Sequence, residues 1–253
     1  MKNLLVTLAL LVAAMTTLSA QTQVIAHRGY WNCEGSAQNS IASLRNSAKI
    51  GVYGSEFDVV MTKDGVLVVN HDDDINGIDI QGVDYAEIKK QKITNGEQLP
   101  TLAHYLKEGQ KHPKLKLILE MKPHRTEEQE DQAVARCMEL VKKYGVESQT
   151  EFISFSMNIC EEFALVTESP VSYLNGEVAP AEITKNGIDG VDYHYEVYGA
   201  EANWIAEAEA KGVITNSWTI NDLDVASSLI SQGIDYLTTD YPEEIATLVE
   251  RQK

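Results

Sequence analysis

The chain has 253 residues, 21 of them Lys or Arg and 38 Asp or Glu, for a formal charge of −17. A surface this acidic repels nucleic acid and anionic lipid at long range, which argues against both as partners and leaves a small soluble substrate, with any anion-binding site confined to a local positive pocket. Cys33, Cys137 and Cys160 share no metal-ligand spacing, and their odd number makes no disulfide framework, although in an oxidising compartment one pair could bridge.

Residues 1–20 read as a signal peptide. Lys2 supplies a positive start, residues 4–15 are apolar apart from Thr7, and "LSAQ" offers small residues for cleavage after Ala20. The apolar run is too short for a comfortable membrane span. No Cys follows the cleavage site, so no lipid anchor is expected there, and the mature chain is expected to be exported, periplasmic or extracellular, without a stable membrane anchor. Removing Lys2 with the leader leaves 20 basic against 38 acidic residues, a charge of −18. Residues 21–253 fit one large domain, since barrels reach this size as single units.

From there apolar strands alternate with helical patterns. "VIA" at 24–26 precedes "NSIASLRNSAKIG", where Ile41, Leu44 and Ala48 recur at helical spacing. "SEFDVVMT" is a strand, "KDG" a turn and "VLVVNH" its hairpin partner. Residues 72–100, rich in Asp, Gly and Asn, break the rhythm and read as a short cap-like insertion. "TLAHYLKEGQ" is a helix and "LKLILEMK" a strand. "TEEQEDQAVARCMELVKKYG" has Thr126 as cap, acids in its first turn, Lys142 and Lys143 in its last, and Gly145 as stop; Cys137 belongs to its core face.

Next come "TEFISFS", a helix around 158–168, "VSYLN", a short helix at 180–186, "GVDYHY", a helix at 200–211, "VITNSWTI", a helix at 222–232, "IDYLTTD" and a last helix at 243–251. Core strands fall near residues 24, 56, 118, 153, 172, 191, 215 and 236, each followed by helical sequence. Continuous apolar strands suit a parallel sheet covered by helices, and eight such units predict an α/β fold, a closed (β/α)8 TIM barrel. An open doubly wound sheet is the rival; it usually has fewer strands, and no GxGxxG is present.

Polar residues gather at the carboxyl ends of these strands: His27 and Arg28, Glu56 and Asp58, His71, Glu120 and Lys122, Ser154 and Ser156, Asn175, Tyr193 and His194, Trp218, and Asp240. A barrel places its active site there. Glu56 and Asp58 are two apart on a strand and share a face. Glu120 comes from the next barrel strand in sequence. Three converging carboxylates must take up a proton or hold a cation, unless they are spent in salt bridges on the rim. Oxygen-only ligands favour Mg²⁺ or Ca²⁺ over zinc. With a divalent ion the trio carries about −1, and Arg28 and Lys122 bring the sum to about +1, which suits one anionic phosphodiester. An unperturbed histidine side chain changes charge near neutrality, so His27 and His71 could serve as base and acid. His104, His112 and His124 have weaker cases, the first two in or beside a surface helix; His194, at a strand end, could touch substrate.

On these residues the chain resembles the glycerophosphodiester phosphodiesterases. The likeness runs over residues 24–242: "HRG" at 27–29, "EFDVVMTKDGVLVVNHD" at 56–72, "LPTL" at 99–102, "LEMK" at 119–122, "SWTIN" at 217–221 and "GIDYLTTDYP" at 233–242, in family order. The resemblance implies a TIM barrel with a divalent cation on Glu56, Asp58 and Glu120. It implies His27 and His71 as the acid–base pair, Arg28 and Lys122 binding phosphate, and Trp218 lining the pocket against the alcohol moiety. The implied reaction is metal-dependent hydrolysis of a glycerophosphodiester to glycerol 3-phosphate and an alcohol. The nucleophile is water or the glycerol's own vicinal hydroxyl, and isolating a cyclic phosphate would distinguish them.

Two features depart from the family. Ala37-Gln38-Asn39-Ser40 stands where it usually has Pro-Glu-Asn-Thr, so Gln38 keeps hydrogen bonding but lacks the charge that could pair with Arg28. The insertion after His71 is short, which implies an open mouth. A phospholipase D-like or inositol-type phosphodiesterase on the same barrel, a non-catalytic barrel binding a phosphorylated or sugar ligand, and a metal-dependent sugar isomerase are the alternatives. The last would need more ligands on later strands than this chain offers.

Overall fold

The computed structural model describes residues 21–252, so the leader expected at 1–20, and with it the cleavage site, lies outside the described residues. Eight parallel strands close into a barrel: β1 (Gln23–Ala26), β2 (Gly54–Met61), β6 (Lys116–Met121), β7 (Thr150–Ser154), β8 (Val171–Tyr173), β9 (Gly190–His194), β10 (Ile214–Trp218) and β11 (Tyr236–Thr239). Pairing runs in that order, and β1 bonds to both β2 and β11, so no edge is left open. The intervening β3 (Leu67–Val69) lies antiparallel on the end of β2. These are the strands expected from the sequence, and the open doubly wound sheet is set aside.

Alternation along each strand builds two apolar layers. Phe57, Val59, Leu117, Leu119, Val191 and Tyr193 point outward under the helices, where Phe57 stacks on Tyr105 at 4.2 Å and Phe152 on Phe163 at 4.2 Å. Ile25, Ile118, Ile153 and Leu174 fill the barrel interior. The residues between them in register, Glu56, Asp58 and Glu120, turn inward near the top, and β2 sets Asp58 directly beside Glu120.

The helices follow their local signals. In α1 (Ile41–Ile50) Ser40 caps the Ser43 N–H, and Gly51 ends the helix at a φ of 75°. Next in the chain come the insertion's β4 (Asp74–Ile75), β5 (Ile78–Asp79) and α2 (Tyr85–Ile88), then α3 (Leu102–Gly109). In α4 (Glu127–Tyr144) Thr126 accepts from the Gln129 N–H and Gly145 closes the helix at a φ of 65°, as predicted. Ala133, Val134, Cys137, Met138 and Val141 form its buried stripe. Then follow α5 (Met157–Val166), α6 (Pro180–Ile183), α7 (Tyr195–Ala200), α8 (Trp204–Lys211), α9 (Leu223–Ser231) and α10 (Pro242–Arg251).

Three expectations change. The insertion is not merely a run of turn residues: its hairpin and short helix fold over a small core of Val60, Val68, Ile75, Ile80, Ile88 and Leu99. These apolar residues are spaced too irregularly to show a period. The helix expected at 200–211 begins only at Trp204, and a separate short helix, α7, precedes it from the His194 cap to Ala200. No cysteine pair bridges: all three thiols are free, with Cys137 and Cys160 buried. No described helix is long and apolar enough to cross a membrane.

Candidate active site

The turn after β1 builds one side of the mouth. Arg28 and Gly29 both take the left-handed conformation, with φ of 54° and 74°. Gly29 is required there, since a Cβ would sit 2.3 Å from Ser43 Oγ. The bend aims the Arg28 N–H at Glu56 Oε2, 2.6 Å away, while the guanidinium donates to Gln38 Oε1 at 2.8 Å and lies 3.8 Å from Asp58. Gln38 thus holds Arg28 as a neutral acceptor. Asn39, also left-handed at a φ of 60°, clamps Asp58 twice: its amide donates to Oδ2 at 2.8 Å, and its carbonyl oxygen accepts the Asp58 N–H at 3.1 Å.

Glu56, Asp58 and Glu120 are buried, and one carboxylate oxygen from each falls within 4.8 Å of the others. Lys122 reaches Asp58 Oδ1 and Glu120 Oε1, both at 2.7 Å. The alternative of salt bridges on an exposed rim does not describe this cluster: the acids are buried, and the cation that bridges Asp58 and Glu120, Lys122, is buried with them. Burial, followed by the charges of Asp58 and Glu120, pushes Glu56 well above the usual carboxylate range. Burial and Asp58 push Glu120 up to about 7. Burial also acts on Asp58, yet Lys122, His71 and the Asn39 hydrogen bond outweigh it and hold Asp58 at about 2. Lys122 is raised: burial opposes its charge, and the two carboxylates more than offset that.

The cluster is one cation short of balance. Glu56 Oε1 is buried with no hydrogen-bond partner among the described residues. An oxygen-only trio on two adjacent strands, with an unsatisfied buried oxygen, fits a hard divalent cation.

Two imidazoles flank this cluster, each held by a carboxylate. His27 Nδ1 lies 2.9 Å from Asp240 Oδ1, which places the proton on Nδ1 and leaves Nε2 as the basic nitrogen. Asp240 also accepts from Trp31 Nε1 at 3.0 Å and from Asn221 at 2.7 Å; burial raises it, and these bonds bring it below the usual carboxylate range. His71 Nδ1 lies 2.7 Å from Asp72 Oδ1. Burial lowers the His71 pKa against the pull of Asp58.

His27, Arg28, Glu56, His71, Glu120, Lys122 and Trp218 line a single cavity of about 180 Å³, closed on the far side by Ile153, Phe155 and Leu174. Asp58 sits behind it. A second, open groove of about 830 Å³ runs outward between the β1–α1 loop and the insertion, past Trp31, Asn32, Asn70, Asp72 and Lys92. Arg28 and His71 line both.

Other strand-end candidates have structural partners instead. Ser154 Oγ donates to the Met121 carbonyl, Ser156 caps α5, and Tyr193 is buried outside the barrel wall with its hydroxyl on Val178 O. His194 caps α7 and packs its ring against the edge of Trp218 at 5.1 Å, supporting the indole. His124 Nε2 accepts the Met61 N–H at 3.1 Å. Sequence reasoning gave no role to Asn39, Asp192 or Asp240. Asp240 stands at a strand end in "TTDYP", a visible signal, but its pairing with a residue 213 positions away is a tertiary fact.

A closed parallel barrel whose mouth joins buried acids, paired cations and two carboxylate-supported imidazoles defines a TIM-barrel enzyme acting on a small anionic substrate. Residues 27–244 match the model of the glycerophosphoryl diester phosphodiesterase family. The chain belongs to that family, and so to the enzymes that hydrolyse glycerophosphodiesters. It superposes on the crystal structure of a glycerophosphodiester phosphodiesterase from Parabacteroides distasonis with a TM-score of 0.91 and 45% identity, over 92% of this chain and 99% of that one. It also resembles an Oleispira antarctica phosphodiesterase in complex with the product sn-glycerol-3-phosphate, at a TM-score of 0.79 and 25% identity over 91% of this chain and 97% of that one. A glycerophosphodiester phosphodiesterase of Caldanaerobacter subterraneus is 25% identical over 252 residues, covering 91% of this chain and 99% of the relative.

Proposed function

We propose that the chain cleaves glycerophosphodiesters into glycerol 3-phosphate and an alcohol at this mouth, with Mg²⁺ or Ca²⁺ on Glu56, Asp58 and Glu120 and with His27 and His71 as the acid–base pair. The observation that carries the reading is the buried trio, short of positive charge, in the wall of the cavity that both imidazoles line. A divalent cation bound there supplies Lewis-acid polarisation of the phosphoryl oxygens.

The chain's own groups do the rest. Arg28 and Lys122 hold the anionic phosphoryl oxygens. One imidazole takes the proton of the attacking water, or of the glycerol's vicinal hydroxyl, as its oxygen bonds to phosphorus; in the second case the product is a cyclic phosphate, which water opens to glycerol 3-phosphate in a further step. The other imidazole gives a proton to the alcohol oxygen as its bond to phosphorus breaks. Asp240 and Asp72 keep the rings oriented and their tautomers fixed. The closed cavity suits the glycerol phosphate half common to every substrate, and the open polar groove, which shares Arg28 and His71, leaves room for varied alcohols.

Hydrolysis of glycerophosphocholine tests the reading. Activity should vanish on chelation and return with Mg²⁺ or Ca²⁺; equal turnover with and without chelator would overturn the metal assignment. Cleavage of intact phospholipid in preference to the deacylated diester would favour the phospholipase D-like alternative. Export, supported by the leader pattern at residues 1–20, would place this chemistry outside the cytoplasm, where it would scavenge glycerol phosphate from deacylated lipid. Secretion of the processed chain starting at Gln21 tests that.

A further inference from the structure

Beyond the phosphoryl machinery, the closed cavity has a second polar feature. Its far wall is apolar: Ile153, Phe155, Leu174 and the Trp218 ring, with Phe155 edge-on to Trp218 at 5.6 Å. Set into that wall is Asp192 on β9, 1% exposed, whose Oδ1 has no hydrogen-bond partner among the described residues. The neighbouring Thr238 is already satisfied, accepting from the Asn216 amide at 2.9 Å and donating to its oxygen at 3.3 Å. The backbone carbonyl of residue 192 positions the indole, accepting Trp218 Nε1 at 2.9 Å. A buried carboxyl oxygen left unpaired beside a ring in a ligand-sized cavity is costly unless a ligand completes it.

We propose that Asp192 is a specificity residue of this cavity, its free carboxyl oxygen engaging a hydroxyl of the substrate's glycerol while the glycerol C–H face lies on Trp218. The inference rests on reading the cavity as the glycerophosphodiester site. A hydroxyl both donates and accepts, so it satisfies the carboxyl in either protonation state. The phosphoryl end is held on the opposite wall, by Arg28 and Lys122, so the two ends of one small polyol phosphate meet different groups. An analogue lacking the hydroxyl leaves Asp192 unpaired in the complex, and sites of this kind discriminate strongly on that ground.

The test compares glycerophosphocholine with its two deoxy analogues, the phosphocholine diesters of propane-1,2-diol and propane-1,3-diol, and with bis(p-nitrophenyl) phosphate, which has no glycerol. Wild type should bind glycerophosphocholine about tenfold or more tighter than at least one deoxy analogue, read as KM or as the analogue's competitive Ki, so that loss of a vicinal-hydroxyl nucleophile in the propane-1,3-diol diester is not counted as lost recognition. In Asp192→Leu that preference should collapse, mainly through KM, and the loss on glycerophosphocholine should exceed the loss on bis(p-nitrophenyl) phosphate by about tenfold. Asp192→Asn, nearly isosteric, should retain part of the preference, and it serves as the deciding variant if the leucine form fails to fold. Retention of full discrimination by the variants, or an equal loss on all four diesters, would overturn the proposal. A wild-type chain inert on glycerophosphocholine and bis(p-nitrophenyl) phosphate alike would instead overturn the functional reading on which it rests.

Discussion

The two halves of the barrel mouth differ in kind. The half built by β11, β1, β2 and β6 carries Asp240, His27, Arg28, Glu56, Asp58, Glu120 and Lys122. The half built by β7, β8, β9 and β10 presents Ile153, Phe155, Leu174 and Trp218 around one buried acid, Asp192. Charges packed on one side raise the local field and are costly to bury, which is visible in the upward displacement of Glu56 and Glu120. The apolar side supplies shape and excludes water, which strengthens every electrostatic contact made opposite it. On the proposed reading, with chemistry on one wall and recognition on the other, substitutions on the two sides should fail in different ways.

The charged wall should give the largest effects. Glu56→Ala, Glu120→Ala and His27→Ala are each expected to lower kcat on glycerophosphocholine by about a thousandfold or more, with the circular dichroism spectrum unchanged. Near-normal rates in all three would erase the distinction between the walls. Asp240→Asn should cost less, about ten- to a hundredfold, because it frees the His27 tautomer without removing the ring. Its signature is a changed pH–rate profile; a uniform drop with the profile intact would mean that Asp240 only supports the loop carrying Trp31 and Asn221.

The charged wall was also the legible one. Carboxylates, histidines and cations at strand ends stand out in a sequence because such residues are rarely buried without a reason. His27, Arg28, Glu56, Asp58, His71, Glu120, Lys122 and Trp218 could all be picked by position on or just past the carboxyl end of a strand, and the barrel could be counted from its apolar runs. What the sequence did not display is what depends on closure. Asp240 meets His27 only because β11 pairs with β1. Asn39 clamps Asp58 only because its backbone turns left-handed. Asp192 is indistinguishable, in "GVDYHY", from a surface acid until β9 turns it into the barrel. The insertion's small core hid for a related reason: Ile75, Ile80 and Ile88 have neither strand nor helix period.

On the apolar wall, Trp218→Ala should leave kcat closer to wild type and raise KM for glycerophosphocholine by about tenfold, since it removes stacking area rather than charge stabilisation. A kcat defect as deep as that of His27→Ala would show that the indole orients the reacting groups directly, and the two walls would have to be treated as one unit.

The smallest expected effect concerns an acid far from both walls, and it sharpens what is unusual about the trio. Glu108 on α3 is also mostly buried, but it has its cations: Arg45 Nε at 2.7 Å and Lys111 Nζ at 2.7 Å. The Arg45 hydrogen bond, partly opposed by burial, holds Glu108 at about 2, below the ordinary 4.5 of a free glutamate. A carboxylate depressed in the folded state contributes stability above its unfolded pKa and loses it as pH falls towards the folded value. Because Arg45 and Lys111 are more than half exposed, screening limits the contribution to about 1 kcal/mol. Glu108→Gln should therefore lower the urea midpoint at pH 7, and the gap from wild type should close between about pH 4.5 and pH 2. A gap independent of pH would mean that Glu108 acts through packing alone. A gap that closes with pH would mark the contrast with Glu56 and Glu120, buried acids displaced upward because the cations around them do not balance their charge.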